Sequence, residues 1–151
     1  MIRVRDAGPL DYKAIVNFQI LMAKETEGIV LNTKTVTHGV KQLFAKPDMG
    51  RYFVAESEGE VIASSLVTYE WSDWRNGTVC WLQSVYVLPA YRQKGVFRRM
   101  YEHIQNMVAE DESLMGIRLY VDKSNIQAQQ VYKHLGMDGD HYALFEWMKR
   151  T

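Results

Sequence analysis

Gln83–Arg99, QSVYVLPAYRQKGVFRR, runs from an apolar strand through a proline break into a basic turn with one glycine, then into a helix. The first N–H groups of a helix lack intrahelical partners, and the helix dipole makes that end attractive to anions. Arg92 and Lys94 add two cations, and Gly95 has no side chain to keep an anion off the backbone. Phosphate is the natural occupant. Taken alone, the stretch also reads as an ordinary surface loop before a helix.

The elements on either side give it a place in a fold. Thr78 to Leu88 is nearly all apolar, which predicts a central strand. After the turn, Phe97, Met100, Tyr101, Ile104 and Val108 form a helical stripe between Lys94 and Ala109. A strand is expected over Ile117–Asp122, a helix over Asn125–Leu135 stopped by Gly136, and a closing strand over Tyr142–Met148. Towards the N-terminus, strands are expected at Ile2–Arg5, Arg51–Glu56 and Val61–Trp71, the last two joined by a turn over Ser57–Glu60. Helices are expected over Leu10–Lys24 and from Asn32 or Thr33 to Ala45, with Glu25–Leu31 as a loop. The order is βααβββαβαβ: a mixed α/β domain with a mostly antiparallel sheet and one parallel pair formed across a strand–helix–strand crossover. Ligands in such sheets lie off the carboxyl ends of the parallel strands.

Bulk properties narrow the function. The 151 residues suit one domain, residues 1–151, and 47% hydrophobic with 24% charged residues is ordinary for a globular chain. Eighteen basic residues balance eighteen acidic ones, which speaks against nucleic acid as the partner. No apolar run is long enough to span a bilayer, so no membrane association is expected. The lone Cys80 excludes an internal disulfide, reads as a buried thiol and fits the cytoplasm. His38, His103, His134 and His141 lack metal-ligand spacing, so no metal is expected.

Val87-x-Pro89-x-Tyr91-Arg92-x-x-Gly95-Val96 resembles the acyl-CoA-binding motif of the GNAT superfamily of N-acetyltransferases, with Phe97 where that family carries a small residue. Asn125-Ile-Gln-Ala128-Gln-Gln-Val-Tyr132-Lys-His-Leu135-Gly136 resembles the family's later segment, at the family's spacing, and the element order matches throughout. The resemblance implies that acetyl-CoA lies where the central strand splays from its parallel neighbour. Its pantetheine arm would pair with backbone at Val85, Tyr86 and Val87. Its pyrophosphate would meet the amides of Gln93, Lys94, Gly95, Val96 and Phe97, with Arg92 alongside. Asn125 would either bond the pantetheine arm or cap its helix, and Tyr132 would protonate the departing sulfur.

Acetyl transfer to an amine also needs a base. No carboxylate stands among Trp81, Leu82, Gln83 and Ser84, where many family members have one, which leaves Glu70 as the first candidate and Asp73 as the second. Tyr69, Trp71, Trp74, Trp81 and Tyr86, with Glu70 and Asp73, are concentrated around one hairpin, and Glu25 and Glu27 add negative charge. Such a group suits a cationic amine; strand aromatics equally often fill a core. The TYEWSDWRNG stretch from Thr68 to Gly77 resembles diamine and thialysine acetyltransferases, which implies a small-molecule amine, polyamine or amino-acid-like, as acceptor. A non-catalytic acyl-CoA-binding module and a protein or peptide acetyltransferase are the alternatives. A homodimer would suit the aromatic C-terminal segment.

Overall fold

The computed structural model describes residues 1–150 as two compact units, Met1–Arg118 and a smaller one from Leu119 onward. The first holds five strands in the order β1-β2-β3-β4-β5, formed by Ile2–Asp6, Gly50–Ser57, Glu60–Ser72, Gly77–Val87 and Leu114–Arg118. The first four are antiparallel neighbours, and β5 runs parallel to β4. Helices α1 (Tyr12–Glu27), α2 (Thr33–Ala45) and α3 (Val96–Glu110) complete the unit. The mixed sheet with a single parallel pair is the fold class expected from the sequence.

The sheet separates two apolar layers. On one face Ile15 and Val16 of α1 and Val40 of α2 pack on Tyr52 and Val54, with Leu66 beside them. On the other, Phe53 meets His103 of α3 edge to face at 5.5 Å, and Met100 and Ile104 are fully buried. Cys80, in β4, is completely covered, and burial pushes its thiol pKa up.

Local chemistry sets the element ends. Asn32 caps α2 by accepting from the Thr35 N–H at 2.9 Å. Glu58 and Gly59, at φ +51° and +81°, make a two-residue turn between β2 and β3, the conformation that matches strand twist in a hairpin. Gly28, at φ +65°, stops α1. That stop lies later than the sequence suggests, so Glu25 and Glu27 belong to the last turn of α1 and not to a loop.

Two strands differ from expectation. β5 begins and ends earlier than the predicted Ile117–Asp122, because Asp111 closes a tight turn onto Ser113 and Thr78 then donates to the Ser113 carbonyl at 2.8 Å, starting the ladder at Leu114. The described residues Tyr142–Met148 form no strand. Tyr142, Phe145 and Trp147 are 82%, 93% and 87% exposed.

The second unit is built around α4 (Ile126–His134). Asp122 accepts from the Ser124 N–H, the Asn125 side chain caps α4 by accepting from the Ala128 N–H at 3.1 Å, and Gly136 follows the helix at φ +90°.

Candidate active site

The turn expected to take an anion is formed by backbone conformation. After a 3-10 turn at Pro89–Tyr91, Gln93 and Gly95 both adopt left-handed φ, +61° and +78°, and α3 starts at Val96. Left-handed residues set in such a turn gather successive N–H groups into an anion-binding concavity. The Arg99 N–H is the first on α3 to reach a carbonyl, that of Gly95 at 3.1 Å. A Cβ built on Gly95 would meet nothing within 4 Å, so the space above the turn is open. Phe97 does not fill it: its ring lies 6.3 Å from that of Tyr101, one turn along the helix.

β4 supplies the neighbouring surface. Its pairing with β5 stops at Trp81–Arg118, so among the described residues no strand covers that edge from Leu82 to Val87. In the same stretch the β3 ladder shifts: Ser84 and Val85 oppose Ser65 alone, and Ser84 takes φ +53°. An extra residue in one strand is a β-bulge, which breaks the regular ladder and re-aims the backbone. Nothing in the sequence marks Ser84 for this conformation.

Arg92 is turned inward. Its Nε donates to the Val87 carbonyl at 2.8 Å, its Nη2 lies 3.4 Å from both Glu25 carboxylate oxygens, and its guanidinium sits 5.2 Å from the centre of the Tyr86 ring. The Val87 carbonyl therefore already has one donor. Burial first, then a hydrogen bond to Glu25, push the Tyr86 hydroxyl pKa up. Phe18 of α1 packs against the Tyr86 ring at 5.4 Å. Lys94 instead lies 5.8 Å from the centre of the Tyr91 ring.

The acceptor-side residues divide between the two faces. Glu70 accepts from Trp81 Nε1 at 2.6 Å and from Arg118 Nη1 at 3.1 and 3.2 Å, and Gln83 donates to Thr68 on the same face. Side chains alternate along a strand, so Tyr69 and Trp71 point to the opposite side from Glu70. The expected single pocket of Trp71, Trp81 and Glu70 is therefore not assembled. Trp74 is 91% exposed in the turn before β4, which also holds Asp73. Thr68, Gln83 and Arg118 join Glu70 only through strand register, a signal that residue type does not carry.

The Trp81 hydrogen bond, and then Arg118, hold the Glu70 carboxyl below the usual carboxylate range. A group tuned this way stays ionised near neutrality and is a weak proton acceptor there. Asn125 has its side-chain oxygen engaged in capping α4. Tyr132, on α4, is half-buried, and burial pushes its hydroxyl pKa up. Among the described residues no group of three or more His, Cys, Asp or Glu side chains is placed to hold a metal ion, and no helix is long and apolar enough to cross a membrane.

Residues 19–137 match the family described as Acetyltransferase (GNAT) family. The chain belongs to that family. A relative in Escherichia coli, the uncharacterized N-acetyltransferase YjgM, is 33% identical over 109 residues, 68% of this chain. The chain spans 59% of the length of that relative. A possible acetyltransferase from Clostridium difficile is 41% identical, with a TM-score of 0.93 over 100% of this chain and 99% of that one. A predicted acetyltransferase from Clostridium acetobutylicum, solved with acetyl-CoA, shares the fold at 22% identity, with a TM-score of 0.76 over 97% of this chain and 96% of that one. The GNAT resemblance seen in the two sequence motifs, and the fold it implies, are thereby established.

Proposed function

We propose that this GNAT protein transfers the acetyl group of acetyl-CoA to the primary amine of a small molecule. The observation that carries the reading is the open, amide-lined turn at Gln93–Gly95, set beyond the bulged and uncovered edge of β4. A single functional domain is part of the proposal, because the family match runs from α1 through α4.

Acetyl-CoA, as cosubstrate, supplies an activated thioester. The chain's residues bind and orient it and handle the protons. Backbone at Val85, Tyr86 and Val87 holds the pantetheine arm, and the amides from Gln93 to Phe97 take the pyrophosphate beside Lys94. Arg92 keeps the turn in place through Val87 and Glu25. Asn125 orients the start of α4 by its cap. Amine attack makes an oxyanion, for which a β4 N–H at the bulge is the donor. Tyr132 keeps its proton at neutral pH and gives it to the leaving sulfur. Glu70 acts as a positioning residue for the acceptor face, with the amine losing its proton to water.

Between the two acceptor types, the amino-acid-like one has the better support. The carboxylates Glu70 and Glu25 are each matched by an arginine, Arg118 and Arg92. A face with paired charges suits a molecule carrying both an amine and an anion better than a polycation. Glu27, Asp73, Trp74 and Trp81 remain proposed contacts around that face. A cytoplasmic homodimer completes the proposal, with the unpaired, buried Cys80 supporting the reducing location.

Thiol release from acetyl-CoA, measured against amino acids, polyamines, aminoglycosides and lysine peptides, tests the proposal. Turnover with amino-acid-like amines is expected. The ion-paired Glu70 favours one other reading, an acyl-CoA-binding module, which tight acetyl-CoA binding without thiol release across the panel would establish. Glu70→Gln is expected to raise the acceptor KM several-fold while leaving the pH profile of kcat in place. Loss of the profile's acidic limb would instead make Glu70 the base.

A further inference from the structure

We propose that the hydroxyls of Ser64 and Ser65, in the middle of β3, each hold a buried water against the bulge of β4, and that these waters fix the backbone N–H that receives the oxyanion. The second half rests on the acetyl-transfer reading above; the first does not. Both serines are covered, at 0% and 1% exposure. Neither Oγ has a hydrogen-bond partner among the described residues. A buried hydroxyl left unpaired is destabilising, and alanine fills almost the same space without that cost. Two such residues in succession point to a polar occupant small enough to be enclosed with them. Water is the one that fits.

Register places the two serines at the bulge. Ser65 faces both Ser84 and Val85, and Ser64 pairs with Tyr86, the next residue along. With two residues opposite one, the ladder leaves backbone groups of β4 without their regular partners on β3. Neighbouring strands lie about 4.8 Å apart. One water spans that gap between a hydroxyl and the facing backbone with two ordinary hydrogen bonds.

The hydroxyls lie on opposite faces of the sheet. Side chains paired across antiparallel strands share a face, and successive ones alternate. Ser64 pairs with Val54, which packs with Ile15 and Val16 of α1. Ser65 pairs with Phe53, which meets His103 of α3. On the α1 side Gln19 is a further buried polar residue, 9% exposed, whose Nε2 also lacks a partner among the described residues. A buried water takes about three partners, which Ser64, Gln19 and the β4 backbone supply on that face. The bulge is thus bracketed from both sides, and Ser84 is held at φ +53° where the ladder does not hold it.

A crystal structure of the wild-type protein, refined far enough to show ordered water, tests the first half. Density is expected within hydrogen-bond distance of each Oγ and of a β4 backbone atom. Either hydroxyl found dry, or bonded directly to the protein, would overturn it. Ser64→Ala and Ser65→Ala test the second half. Each is expected to lower kcat about 10- to 100-fold, the scale of a small misplacement of reacting groups, with the KM for acetyl-CoA and the thermal midpoint little changed. Hydrogen exchange over Gln83–Val87, measured without acetyl-CoA, is expected to quicken in both variants. Should an alanine variant fail to fold, Ser64→Cys or Ser65→Cys, close in volume and a weak donor, makes the same comparison. Wild-type kcat and exchange in both variants, or a lowered midpoint with kcat unchanged, would overturn the positioning role. A wild-type chain that holds the waters but releases no thiol would count against the proposed function alone.

Discussion

Tyr132→Phe is expected to lower kcat by about 10²–10⁴-fold, the range for removing a general acid, with little change in the Kd for acetyl-CoA. The ring stays and only the hydroxyl goes, so packing is nearly conserved. Burial raises the pKa of this hydroxyl. The sign follows: the folded group holds its proton through the unfolded value of about 10 and loses it only above that. Wild-type activity should therefore rise with pH as the acceptor amine loses its proton, and show no tyrosine limb below about pH 10. Stability linked to the raised pKa is fully present below the unfolded value and is lost as pH rises through the folded one. An unchanged kcat in the Phe variant would remove Tyr132 from the chemistry.

Gly95→Val is expected to weaken acetyl-CoA binding by about 100-fold, or ~2.7 kcal/mol. Gly95 sits at φ +78° with open space where a side chain would go. A branched side chain there disfavours the left-handed conformation, at a cost of about 1–2 kcal/mol or more, and projects into the volume assigned to the anion. Gly59→Val is the matched control: Gly59 has φ +81° and equally open surroundings, but lies in the hairpin turn between β2 and β3. Both variants should lose similar thermal stability, and only Gly95→Val should lose affinity by isothermal titration. Equal affinities would move the pyrophosphate elsewhere.

The parts of the site legible in the sequence are those governed by local rules. Gly95 announces its turn because a left-handed residue there favours glycine, and Asn125 announces a cap because its side chain reaches the third N–H of the helix. Alternation also places Glu70 and Trp71 on opposite faces, although their clustering in sequence suggests one pocket. Other features depend on register between distant strands. The parallel ladder sets Trp81 opposite Arg118 and so brings Arg118 to Glu70, and the bulge at Ser84 arises from a mismatch between β3 and β4.

Cys80 bears on how all of this is measured. It is the protein's sole sulfhydryl, wholly covered and with its ionisation suppressed. Disulfide reagents that count liberated CoA react with thiolates, so the native enzyme contributes no colour of its own. In an amine-free blank, slow development of one equivalent per chain would mean that the centre of the sheet had opened. The assay cuvette would then report the unfolding rate alongside turnover.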